Sequence, residues 1–278
     1  MAPPDGPQAA GRAVGGGVMN GVSERTVEVG GQACRVWEKG TGAPLGFLSG
    51  LGGLMRWTPF LDRLAEHRRV IAPSLPGFPG SGRGHDALDS QLDWILATHD
   101  LLAAAELKGA DLVGVSIGAS LAAEVAGIWP EMVRRLVLVA PLGIFDEAEP
   151  VADVWAQPPG EQGVVLARDA QAYEAATAVP DGEDLAEWQI LGIRANEAAA
   201  RILWPLSDTR IAKRLGRIGQ DTLILWGEDD AVIPASYAKR FANEILGPTT
   251  LATIPGAGHL AEIDAPDQVA EAVLEFLG

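Results

Sequence analysis

The sequence predicts an α/β fold: a doubly wound, mostly parallel, eight-stranded sheet with a helical cap inserted into it. Three observations carry that prediction. Short apolar β-rich runs alternate with amphipathic stretches at helical spacing, which is how helices packed on a parallel sheet read. Strand signals then vanish between residues 145 and 219 and return afterwards. Finally, 278 residues with a 47% hydrophobic and 21% charged composition suffice to bury a full core and have the balance of a globular protein.

Taken in order, residues 1–23 are rich in Gly, Ala and Pro and are expected to form a flexible segment, too poor in apolar surface to offset its ordering entropy. They hold no run long enough for a signal peptide or a membrane helix, and translation from Met1 or from Met19 is equally sensible. Residues 25–29 and 33–37 read as an antiparallel pair turned by Gly30-Gly31. Strands follow at 44–48 and 69–72, separated by a helix over 58–66 that Thr58 can cap and Pro59 can open. A long helix over 90–106 leads to a strand at 110–115. Another helix, 117–128, stops before Trp129-Pro130, and a strand follows at 135–140. The core thus spans 24–144 and 220–278, with strands at 222–226 and 250–254 and a closing helix at 266–277. The insertion, 145–219, places Trp155, Tyr173, Trp188 and Trp204 as candidate pocket residues, although aromatics at helical spacing also serve simply as packing.

The chemistry centres on Gly114-Val115-Ser116-Ile117-Gly118, a G-x-S-x-G motif between a strand and a helix. A serine at so tight a turn presents its hydroxyl at the carboxyl edge of the sheet, and the flanking glycines relieve crowding. Here the chain resembles the α/β-hydrolase family, from about residue 27 to the C-terminus, with the cap matched only in position. The resemblance implies an α/β-hydrolase fold and a catalytic triad. Within Trp226-Gly227-Glu228-Asp229-Asp230-Ala231-Val232-Ile233-Pro234 it selects Asp230 as the acid, with Asp229 as a solvated or capping alternative and Asp146 as a third candidate. Gly256-Ala257-Gly258-His259 resembles the histidine loop, making His259 the base. His67, His85 and His99 have no such placement and are expected at helix ends or on the surface.

Phe47-Leu48-Ser49-Gly50-Leu51-Gly52-Gly53 resembles the family's oxyanion loop, with Ser49 where His is usual. The matching donors are the backbone amides of Leu51 and Ile117. The turn Pro73-Ser74-Leu75-Pro76-Gly77-Phe78-Pro79-Gly80-Ser81 is similar to the loop after the fourth strand, with Ser74 in place of Asp; its residues shape the turn and are given no chemistry.

The resemblance implies acyl-enzyme chemistry without metal or cofactor, and ester or lactone hydrolysis of a small organic substrate as the default. A serine nucleophile argues against epoxide and haloalkane hydrolysis, where the family carries aspartate. The alternative is carbon–carbon bond hydrolysis of the meta-cleavage type, suggested by Pro141-Leu142-Gly143 and the cap placement; acyl transfer uses the same constellation. A non-catalytic ligand-binding protein is a rival of another class, opposed by the persistence of all three triad candidates. A net charge of −16 disfavours nucleic acid and anionic membrane as partners. The single cysteine, Cys34, forms no intramolecular disulfide and suits a cytoplasmic protein, monomeric or homodimeric.

Overall fold

The computed structural model describes residues 21–158 and 161–278. Most of the expected N-terminal segment, up to residue 20, therefore lies outside the described residues. The strands are β1 (Ser23–Val29), β2 (Gln32–Lys39), β3 (Pro44–Leu48), β4 (Arg69–Pro73), β5 (Ala110–Val115), β6 (Val133–Val139), β7 (Thr222–Gly227) and β8 (Thr249–Ile254). They form one eight-stranded sheet in the order β1-β2-β4-β3-β5-β6-β7-β8. The pairs β1–β2 and β2–β4 are antiparallel, and every later pair is parallel.

Strand order dictates where a site can form. From β3 the chain crosses outward to β4 through α1 (Pro59–Ala65), then returns past β3 to β5 through α2 (Gln91–Ala104). Right-handed crossovers running in opposite directions place their helices on opposite faces, so the neighbours β3 and β5 flank a topological switch point. Their carboxyl ends carry the loop over residues 49–53 and Ser116. All of β5 is buried, as expected of a central parallel strand covered on both faces. The chain goes on through α3 (Ile117–Ile128) into β6, and α3 packs on α2 while α1 packs on the C-terminal helix, Pro266–Leu277.

The cap holds α4 (Gln162–Leu166), α5 (Ala170–Thr177), α6 (Leu185–Leu203) and α7 (Ala212–Leu215). Asp184 caps α6 by accepting the N–H groups of Ala186 and Glu187. At the foot of the cap, Arg214 of α7 makes a two-pronged pair with the buried carboxylate of Glu124 on α3. After β7 come α8 (Ser236–Glu244), then β8, α9 (Ala261–Asp264) and α10 (Pro266–Leu277).

Two local expectations are corrected. Thr58 precedes α1 but makes no side-chain cap bond; Pro59 at the helix start supplies no N–H of its own. Ser90, by contrast, builds a full capping box with Asp93. Helix α8 is the helix expected after the acid loop without bounds; it starts at Ser236, too far along for Asp229 to cap it. It buries Tyr237, Ala238 and Phe241 and turns the polar Ser236, Lys239, Asn243 and Glu244 outward.

Candidate active site

The turn from β5 into α3 holds Ser116 at φ 53° and ψ −116°, a conformation that a non-glycine residue occupies only when its surroundings impose it. They do so from three sides. The Ser116 N–H donates to Val139 O of β6 at 2.8 Å. Ser120 Oγ donates to Leu142 O at 2.8 Å and accepts the Leu142 N–H at 2.9 Å, tying α3 to the chain after β6. A Cβ on Gly118 would come within 2.3 Å of Leu48 O and 2.6 Å of Ser49 O, so glycine there lets α3 seat against the end of β3.

Ser116 Oγ lies 2.8 Å from His259 Nε2, and His259 Nδ1 lies 3.0 Å from Asp230 Oδ2, with all three side chains buried. The other Asp230 oxygen accepts the N–H groups of Val232 and Ile233 at 2.8 and 2.9 Å, which fixes the carboxylate's orientation. The buried Trp226 indole donates to Ile233 O and braces the same loop. Asp229 turns away: its N–H donates to Ala257 O, and its half-exposed carboxylate sits 3.8 Å from Arg168. Asp146 is held by Arg240 instead, at 3.0 Å. Of the three acids singled out in the sequence, only Asp230 meets His259.

The loop after β3 closes over this group. A Cβ on Gly50 would lie 3.3 Å from Ser116 Cβ and 3.3 Å from a Leu260 methyl, so the loop rests on Ser116 and on the residue after His259. Leu51 and Ile117 are buried, and neither backbone N–H is engaged by another protein group among the described residues. Two free amides at a helix start and a facing loop suit a developing oxyanion. Ser49 is buried without a side-chain hydrogen bond; the loop is braced through its backbone, by the Gly53 N–H on Gly50 O and by Arg35 on Leu54 O.

A two-lobed cleft runs between this loop and the cap. One lobe is walled by Phe47, Leu51, Arg56, Tyr173, Leu260 and Glu262, and the other by Val154, Leu166, Trp188 and Asn196. Its floor includes Gly50 and Leu260, which lie on Ser116 and beside His259. Among the aromatic candidates Trp188 and Tyr173 line the cleft. Trp155 does not: it is partly buried against the core, and its indole nitrogen has no partner. Trp204 does not either, being 60% exposed just beyond the end of α6. Helical spacing cannot tell an inward from an outward aromatic when the cap's packing partner is unknown.

The cap is clasped to the histidine loop by one carboxylate. Asp264 accepts the N–H groups of Gly258 at 2.7 Å, Asp169 at 2.8 Å and Arg168 at 3.0 Å, while the Leu260 N–H donates to Leu166 O. Arg56 and Glu262, also on the cleft wall, were not singled out in the sequence, where a lone Arg and a Glu in a helical stretch carry no signal.

A family model described as "Alpha/beta hydrolase family" matches residues 47–272. The chain belongs to the alpha/beta hydrolase family. A 2-hydroxy-6-oxo-2,4-heptadienoate hydrolase of Pseudomonas putida is 30% identical to it over 276 residues, covering 93% of this chain and 98% of the relative. The dihydrolipoyllysine-residue acetyltransferase component of the acetoin cleaving system of Pseudomonas putida is 31% identical over 279 residues, covering 92% of this chain and 70% of the relative. Among solved structures, a meta-cleavage product hydrolase from Pseudomonas fluorescens superposes with a TM-score of 0.72 at 21% identity, covering 91% of this chain and 97% of that one. At that identity the likeness speaks to the fold.

Elsewhere in this α/β hydrolase, His85 sits in the last turn of a short 3-10 helix, Gly84–Ala87, one of the two positions expected of it, but it is fully buried and not on the surface. Its Nε2 lies 3.5 Å from Asp86 and 3.6 Å from Glu197. This is the group with metal-like spacing among the described residues, but Arg83 already engages both Asp86 oxygens, and none of the three lines the cleft. Cys34 is buried, and burial pushes its thiol pKa up, which leaves it inert. No helix among the described residues is long and apolar enough to cross a membrane.

Proposed function

We propose that this α/β hydrolase cleaves the carbon–carbon bond of a small 2-hydroxy-6-oxo-dienoate through an acyl-enzyme on Ser116. The observation that carries this reading is Arg56 on the cleft wall beside the oxyanion loop. Its guanidinium makes no salt bridge among the described residues, and its one hydrogen bond is a long 3.5 Å contact to Ala178 O. In a chain of net charge −16, an anionic substrate needs a local cation, and a neutral ester does not. The heptadienoate named for the 30% identical relative carries a carboxylate and no ester, so its hydrolysis must break a carbon–carbon bond.

The roles then follow from the geometry. The dienol first becomes its 2,6-dioxo tautomer, placing a proton on C5. His259 takes the Ser116 proton as Oγ adds to the C6 carbonyl, and Asp230 holds the imidazole and stabilises its charged form. The Leu51 and Ile117 amides receive the oxyanion. Collapse breaks C5–C6; the electron pair delocalises onto the C2 oxygen, which takes the proton from His259. Water, deprotonated by His259, then releases the acyl group as a carboxylic acid. Ester or lactone hydrolysis by the same triad is the second reading, favoured by the apolar wall that Val154, Leu166 and Trp188 give the second lobe.

Loss of the long-wavelength absorbance of a 2-hydroxy-6-oxo-dienoate, run beside p-nitrophenyl esters, separates the two. The dienoate is expected to turn over with the higher kcat/KM. Ser116→Ala should lower it at least about a thousandfold, and Arg56→Ala should raise KM about tenfold or more, the worth of one charge-assisted hydrogen bond. Ester turnover alone, indifferent to Arg56→Ala, gives the site to the second reading.

A further inference from the structure

Glu262 stands on α9, three residues past His259, and its side chain lines the same lobe as Arg56. It is 6% exposed, and its Oε2 is buried with no hydrogen-bond partner. An oxygen so placed costs stability, since no side chain among the described residues pairs it and no water reaches it; the one favourable contact to the carboxyl is from Glu262's own backbone N–H. Nothing in the packing of α9 uses it. The residue itself borders the cleft, the space beside it that a ligand can fill.

Resting on the reading of the site above, we infer that Glu262 acts as a neutral carboxylic acid that donates a hydrogen bond to the oxygen on C2 of the substrate, next to the carboxylate held by Arg56. The lobe would then select 2-oxygenated carboxylates over plain ones. The donor also lies where the C2 oxygen gathers charge as C5–C6 breaks, so the contact strengthens during the reaction.

The protonation state fits. Burial, the largest cause, outweighs the hydrogen bond from Glu262's own backbone N–H and, with the nearby Asp264, raises the Glu262 pKa to about 8. The charged or titratable groups on the elements packed against α9 are Asp62 and Arg63 on α1, Tyr173 and Glu174 on α5, and Asp267, Glu271 and Glu275 on α10, with Arg56 across the lobe. Among all of these only Asp264 acts on Glu262, and it acts in the same direction as burial. At neutral pH the group is therefore a donor, and above about pH 8 it becomes an anion that repels the same ligand.

The test is calorimetric titration of 2-oxopentanoate and of pentanoate into the Ser116→Ala protein, alone and with Glu262→Gln or Glu262→Leu, at pH 6.5 and pH 9, beside dienoate turnover in the Ser116 background. We expect the oxo acid to bind about tenfold tighter than pentanoate at pH 6.5. Glu262→Gln, a neutral donor, should keep that preference at both pH values; Glu262→Leu should lose it, and the parent should lose it at pH 9. Equal binding of the two acids at pH 6.5, or a preference untouched by pH 9, overturns the role of Glu262 even if the dienoate is cleaved. The full binding pattern without dienoate turnover leaves the subsite standing and removes the proposed reaction. If Glu262→Leu does not fold, the Gln variant and the pH comparison decide alone.

Discussion

At the scale of single residues, the site rests on atoms that leave no room for others. A Cβ on Gly227 would sit 2.0 Å from Gly258 O and 2.5 Å from Ala257 O, so the strand that delivers Asp230 and the loop that delivers His259 touch through bare backbone. Gly227→Ala is expected to fold with reduced stability and to move His259 off Asp230. A displacement near 1 Å costs roughly a hundredfold in rate, to be read as the rate of Ser116 labelling by a fluorophosphonate, with circular dichroism confirming the fold. Unchanged labelling would mean that the close approach does not set the triad. Ser116, Asp230 and His259 were legible in the sequence because each follows a strand at a motif-defined distance. Arg56 and Glu262 were not, because a cleft residue announces itself only by what it faces.

At the scale of elements, buried charge ties the cap to the core. Glu124 lies on α3, about two turns past Ser116, and its pair with Arg214 fixes the foot of the cap. Removing one partner of a buried pair costs about 3–5 kcal/mol; Arg214 keeps partial access to water, so the lower end applies. Glu124→Gln should accordingly shift the urea midpoint down by about 3 kcal/mol in stability while leaving the Ser116–His259 geometry intact. A shift below about 1 kcal/mol would show that the pair is dispensable. Amphipathic periodicity located the long elements, such as α3 and α6, whose apolar stripes are wide. It set no bounds for α8, the short helix after the acid loop, although Tyr237, Ala238 and Phe241 make a distinct buried face there.

At the scale of the whole molecule, the pH dependence of stability carries the mark of Glu262. Its folded pKa, about 8, lies above the ordinary glutamate value of 4.5, so between those pH values the folded state holds a proton that the unfolded state has released. Stability contributed by this group is full below pH 4.5 and declines as pH rises toward 8. His85 acts from the other side: burial lowers its pKa below the ordinary 6.5, so protonating it on acidification favours unfolding. Glu262→Gln should therefore raise Tm little at pH 4.5 and progressively more up to pH 8, measured by calorimetry across that range. A gain independent of pH would place the unfavourable contribution in packing and not in ionisation.

Local pattern in the sequence was enough for the strands of the sheet, the turn that carries Ser116 and the order of serine, acid and histidine, with Asp230 chosen over Asp229 by its motif spacing, because periodicity and turn chemistry are local and each strand or tight turn must satisfy them within a few residues. The tertiary structure alone decided that Trp188 and Tyr173 face the cleft while Trp155 and Trp204 do not, and that a guanidinium and a carboxyl with an unpaired oxygen share one lobe beside the loop after β3. These depend on how the loop after β3, the cap and α9 come together, contacts between segments as much as two hundred residues apart that no local pattern encodes.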